Sequence, residues 1–161
     1  MTTSKSLQDT NETRPQHESV WDYPRPPRLE PTSKHIQVFF KGTAIADSTR
    51  ALRILETSHA PAFYIPPDDV RMEFLEPNVR STFCEWKGEA SYYDVVVGDW
   101  RAVHAAWTYK HPTDAYAELQ DYLAFYPSPM DACLVDGERA HPESPSFYGG
   151  WVTRDIRTAR D

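Results

Sequence analysis

Residues 80–109 read RSTFCEWKGEASYYDVVVGDWRAVHAAWTY, and the pattern of this stretch decides the fold. Gly88 and the Gly98-Asp99 pair are reversal signals, so the stretch divides into three strands over residues 81–86, 90–97 and 101–109. Strand alternation then sorts the side chains. Cys84 and Trp86 share one face, Tyr92 and Asp94 share one face of the next strand, and Trp107 and Tyr109 lie together opposite His104, Ala106 and Thr108. Antiparallel pairing that brings together Trp86, one of Tyr92 and Tyr93, and Trp107 makes an aromatic pocket for a flat or cationic small molecule. The alternative is that the same rings only fill a core, and both readings stay open at this level.

Outward from this centre the chain keeps its β character. Residues 35–40 and 43–47 form a hairpin across Lys41-Gly42, residues 51–56 a bend followed by a strand, and residues 62–65 another strand. Pro66 and Pro67 suit one helical turn over residues 66–70, after which residues 71–75 alternate as a half-buried strand would. Beyond the centre, Thr113 is placed to N-cap a short helix over residues 113–119, strands follow over residues 122–126 and 130–135, and Asp136-Gly137 is a turn. The expected class is all-β, a β-dominated domain with one or two short helices. Its expected parts are a disordered polar tail (1–19), a proline-rich strap (20–34) docked by Trp21, Tyr23 and Leu29, the domain itself (35–140), and an extension (141–161) packed back by Phe147, Tyr148 and Trp151.

The chain has 161 residues and a net charge of −7, enough length for one core and the wrong sign for an extended nucleic-acid or anionic membrane surface. Between Pro66 and Asp99 eight acids face three bases, so a polyanion would meet a repulsive local field. Cys84 and Cys133 are too few and too far apart for a zinc site or a redox pair, and His59, His104 and His111 lack metal-ligand spacing. No metal and no cofactor are expected. No apolar leader or membrane-length run is present, which points to a cytoplasmic protein. The expected partner is a small molecule, with neither nucleic acid nor membrane, and a homodimer is compatible with the sequence.

Individual residues carry two readings each. Lys87, before Gly88, is either a solvated turn lysine or an ammonium that meets an anionic ligand or moves a proton. Cys84 is an inert buried thiol or a nucleophile whose thiolate Lys87 stabilises. Asp68 and Asp69 either hold a ligand or favour the first turn of a helix.

The segments GTAIADSTRALRILETSHAPAFYIPPDDV (42–70), STFCEWKGEASYYDV (81–95), AAWTYKHP (105–112) and YLAFYP (122–127) resemble, in order and spacing, the domain of unknown function 427 family, which also carries a nucleotidyltransferase-like label. The block CxWKGxAxYY is its most specific feature, and the resemblance spans residues 36–137. It implies a β-tent, or Mss4-like, architecture in which two antiparallel sheets meet around a pocket. The zinc-binding cysteine pairs of related folds are missing here. The positions matching the family's block are Tyr64, Asp69, Cys84, Lys87, Gly88, Tyr92, Trp107 and Tyr109. The expected catalytic set is Lys87, Tyr92, Asp69 and Cys84, and the expected ligand-binding set is Tyr64, Trp86, Tyr93, Trp107, Tyr109 and Arg80. The leading function is binding of a small metabolite, with cofactor-free acid–base chemistry (isomerisation, cyclisation or hydration) as the reaction it would support. Nucleotidyl transfer, for which the sequence shows no glycine-rich phosphate loop, and a protein-interaction module are the alternatives.

Overall fold

The computed structural model describes residues 18–160, so most of the expected N-terminal tail lies outside the described residues. The strands are β1 (Glu18–Ser19), β2 (Arg28–Pro31), β3 (Ile36–Phe40), β4 (Thr43–Ser48), β5 (Leu52–Leu55), β6 (Ala62–Ile65), β7 (Leu75–Cys84) and β8 (Gly88–Val97). They continue as β9 (Trp100–Tyr109), β10 (Leu123–Phe125), β11 (Ala132–Val135), β12 (Glu138–Arg139), β13 (His141–Pro142), β14 (Trp151–Val152) and β15 (Ile156–Arg157). A seven-stranded antiparallel sheet runs β2, β5, β6, β10, β9, β8, β7, and a four-stranded antiparallel sheet runs β12, β11, β3, β4. The protein is all-β, as the sequence predicts.

Period-two alternation gives the larger sheet two different faces. Phe63, Ile65, Val95, Ala106, Leu123 and Phe125 point toward the smaller sheet and meet Ile36, Val38, Ile45, Cys133 and Val135 in the main core. Their neighbours Ala62, Tyr64, Ala90, Tyr92, Trp107, Tyr109 and Ala124 form a second cluster on the opposite face. The space between the sheets is therefore filled, and the aromatic residues gather on the far side of the larger sheet. This differs from the expectation of a pocket between two sheets.

Three local expectations are corrected. Residues 71–74 are not a strand, and only Leu75 of the expected segment belongs to one: the Arg71 N–H is committed to the Ile45 carbonyl at 2.8 Å and the Phe74 N–H returns to the Arg71 carbonyl at 3.1 Å, which makes a 3-10 turn at Met72–Phe74 before β7. The helix is a kinked 3-10 segment, Asp114–Leu119, and Thr113 does not cap it. Instead the Thr113 hydroxyl donates to the Trp86 carbonyl at 2.6 Å, fastening the turn after β7 in which Trp86 and Lys87 sit. The strap is also shorter than expected, because Arg28–Pro31 pairs with β5 and is the edge of the larger sheet.

Two irregularities flank β8. On β9, four steps from Ala102 to Ala106 oppose two on β8; on β7, three steps from Asn78 to Ser81 oppose one. Asp94 ties the two bulges together. Its Oδ1 accepts the His104 N–H at 3.0 Å and the Asn78 amide at 2.9 Å, while its Oδ2 accepts Arg101 at 2.8 Å. His104 itself takes a positive φ of 55° in the β9 bulge. Burial raises the Asp94 pKa, but the His104 N–H, Asn78 and Arg101 outweigh it, and the carboxyl lies below its usual range. A depressed folded-state pKa stabilises above the unfolded aspartate value of ~3.9 and is lost as pH falls through the folded value. Denaturant unfolding of Asp94→Ala near neutral pH should show a loss of about 2–3 kcal/mol from the stranded His104 and Asn78 donors. That deficit should shrink in acid, where wild-type Asp94 is protonated too.

Candidate functional site

The second aromatic cluster encloses one side of a cavity of about 300 Å³ on the outer face of the larger sheet. β6 supplies Tyr64, β8 Tyr92, and β9 Trp107 and Tyr109, all by alternation; the end of β7 and its turn supply Cys84, Trp86 and Lys87. The turn depends on Gly88, whose φ of 107° suits glycine and where a Cβ would stand 3.3 Å from the His111 carbonyl oxygen. These seven sequence-predicted residues come together on the cavity wall.

Three others do not. Tyr93 points to the opposite face, packs beside the main core and accepts a hydrogen bond from Lys110 at 3.2 Å. Asp69 is held by the Ser48 hydroxyl at 2.6 Å and the Arg50 guanidinium at 2.9 Å, away from the cavity. Arg50, the leading cause, and Ser48 keep its carboxyl below the usual range. Arg80 lies exposed in the β7 bulge, its guanidinium 5.1 Å from the Tyr92 ring centroid. The wall also includes Glu56, His59, Tyr126, Phe147 and Tyr148, which sequence reasoning did not place there. Tyr126 was in a segment carrying the family resemblance, and Phe147 and Tyr148 were expected to pack down; they stay 56% and 48% exposed.

Lys87 is 7% exposed and makes no ion pair among the described residues. Its Nζ lies 5.8 Å from the Tyr109 ring centroid. Burial works against the ammonium, but charge attraction to Tyr64 and Cys84, which acts only on their ionised forms, together with the Cys84 hydrogen bond and Glu56, outweighs it, and Lys87 holds its proton above the ordinary lysine range. Glu56 acts at a distance and is itself paired with Arg25 at 3.4 Å. The phenols behave in the opposite sense: burial pushes Tyr64 and Tyr109 up, so both stay neutral. The indole N–H of Trp107 donates to the Tyr64 hydroxyl at 3.2 Å; that hydroxyl is also hydrogen-bonded to Tyr109, and with Tyr109 as the donor the Tyr64 O–H is left to donate. Tyr92 pairs with the Thr82 hydroxyl at 3.0 Å, and Tyr126 is pushed up by burial and by its bond to Tyr92. The wall thus offers a fixed cation and phenol donors among apolar rings. Among the described residues no group of three or more His, Cys, Asp or Glu side chains could hold a metal ion.

The two main sheets and the cavity define an antiparallel β protein with an aromatic-walled cavity. A family model for a domain of unknown function (DUF427) matches residues 28–136, well over half the chain, and the protein belongs to that family. A search of curated proteins finds no match. No helix among the described residues is long and apolar enough to cross a membrane. For the site itself, Tyr64→Phe removes the acceptor of the buried Trp107 N–H, and thermal unfolding should show a loss of about 1–2 kcal/mol.

Proposed function

We propose that the protein binds a small, planar monoanion, most simply a carboxylate, in the aromatic cavity, with Lys87 as counter-charge and Tyr64 as a second donor. The observation that carries this reading is a buried ammonium on a cavity wall with no carboxylate paired to it among the described residues. Such a charge is costly to bury and is satisfied by an anionic ligand. The flanking rings of Trp86, Tyr92 and Trp107 suit a flat body of the ligand. Glu56 and Glu85 on the same wall, together with the acidic excess around it, oppose a polyphosphate, which speaks against nucleotidyl transfer as the family's label has it.

If the ligand is also turned over, the chemistry available is stabilisation of an oxyanion or enolate by Lys87 and the Tyr64 hydroxyl, as in isomerisation, cyclisation or hydration. Lys87 keeps its proton, so its role there is electrostatic anchor or acid, not base.

A thermal-shift panel of aromatic and aliphatic carboxylates, with nucleoside triphosphates plus magnesium as the contrasting set, tests the proposal. A binding carboxylate at ~100 times its Kd adds about 2.7 kcal/mol. Lys87→Met should weaken that ligand by about 30- to 100-fold while leaving a cooperative unfolding transition. Because Lys87 titrates above the ordinary lysine range, affinity should be flat through neutral pH and fall only in strong alkali. Shifts given by nucleotides alone, or a carboxylate shift that survives Lys87→Met, would overturn the reading.

A further inference from the structure

The cavity is completed by residues that lie beyond position 136, where the family match ends. The 3-10 turn Ser146–Tyr148 brings Phe147 and Tyr148 to its rim. The Tyr148 ring stands 4.1 Å from the His59 ring, tilted by 43°, and Phe147 packs edge-on against Tyr148 at 5.4 Å.

The backbone on both sides of this turn is fastened to the larger sheet and its loops. Buried Glu143 accepts the Ala60 N–H at 2.9 Å and the Gly150 N–H at 3.0 Å, with His59 Nδ1 3.9 Å from the same carboxylate. The Trp151 N–H donates to the Pro61 carbonyl at 2.8 Å and its indole to the Phe125 carbonyl at 2.9 Å. Gly149, at φ 72°, lies directly on the Trp107 and Tyr126 rings, where a Cβ would collide with Trp107. Between these fixed points the two aromatics at the rim are exposed by about half, so the anchored frame sets how wide the opening is.

We infer that Phe147 and Tyr148 are the specificity-determining wall of this cavity, limiting the size of what reaches Lys87, and that Glu143 is the residue that positions them. The inference rests on the cavity being the binding site proposed above, but its test needs no ligand. Glu143 touches no reacting group; it acts by holding Ala60 and Gly150 together, and through them the turn that carries the two rings.

The chain carries its own reporter. Cys84 lies on the cavity wall, whereas Cys133 is 1% exposed in the main core and burial pushes its thiol up to about 12. Labelling rates of Cys84 in the full chain should be measured by mass spectrometry with two neutral reagents, the small iodoacetamide and the bulky aromatic N-(1-pyrenyl)maleimide. In Tyr148→Ala the bulky reagent should react about tenfold faster while the iodoacetamide rate changes little. Glu143→Gln, which keeps the volume and replaces one acceptor oxygen with a donor, should shift the ratio of the two rates in the same direction. An unchanged ratio in both variants would overturn the inference, and so would equal acceleration of both reagents accompanied by labelling of Cys133, which signals global opening. A carboxylate hit in the thermal-shift panel together with an unchanged labelling ratio would keep the ligand and remove the wall; a shifted ratio with a silent panel would do the reverse.

Discussion

The carboxylate of Asp94 is the point on which the geometry of the larger sheet depends. It sits on the central strand of a three-strand unit and receives a donor from a bulge on each neighbour, His104 on β9 and Asn78 on β7. A bulge inserts residues without partners and bends the strand that carries it. Each of these two inserts an even number of extra residues, so alternation resumes in phase beyond it. An odd insertion would have sent Trp107 and Tyr109 into the main core and Ala106 to the far face. Asp94 makes the irregularity a fixed part of the sheet by accepting the His104 N–H and the Asn78 amide together.

A consequence is that the strands at the middle of the sheet are covered on both faces. All four residues of β6 and all three of β10 are buried, with alternate side chains serving the main core and the aromatic cluster. The second face needs a cover of its own, which the four-stranded sheet does not provide. The 3-10 segment Asp114–Leu119 contributes to it: its Tyr116 and Leu119 join the aromatic cluster, and the Tyr116 hydroxyl donates to the Pro27 carbonyl at 2.7 Å. The cavity is the part of that face the cover leaves open, and its chemistry follows from burial. Burial keeps Tyr64 and Tyr109 neutral, and Lys87, hydrogen-bonded to Cys84, holds its proton above the ordinary lysine range.

Much of this is legible in the sequence. Alternation alone placed Trp107 with Tyr109 and left Tyr92 on one face of its strand, and Gly88 marked the turn that carries Lys87. Tyr92 and Tyr93 could not be separated by that reasoning, since adjacent strand residues are equivalent until the register of pairing says which face is which. Tyr92 opposes Trp107 in the ladder and shares its face. Asp69 shows the complementary limit: a carboxylate after two prolines has the same sequence context whether it meets a ligand or, as here, the Arg50 guanidinium. His59, Glu143 and Tyr148 were out of reach for another reason, because they meet only through contacts between segments 80 or more residues apart, of which the Ala60–Glu143 hydrogen bond is one.

The sequence by itself determined that this chain is a β protein, where most of its strands and turns fall, and that its aromatic, lysine-bearing centre is the region to examine. These are local properties, carried by side-chain period, β-propensity and the backbone freedom of glycine, and each can be read within about ten residues. Only the tertiary structure decided which face of the larger sheet is core and which is cavity, that Lys87 is buried without an ion pair among the described residues, and that residues beyond the family's matched region line the cavity. Those properties depend on register and on long-range packing, in which a single extra residue in a bulge reverses every assignment that follows it.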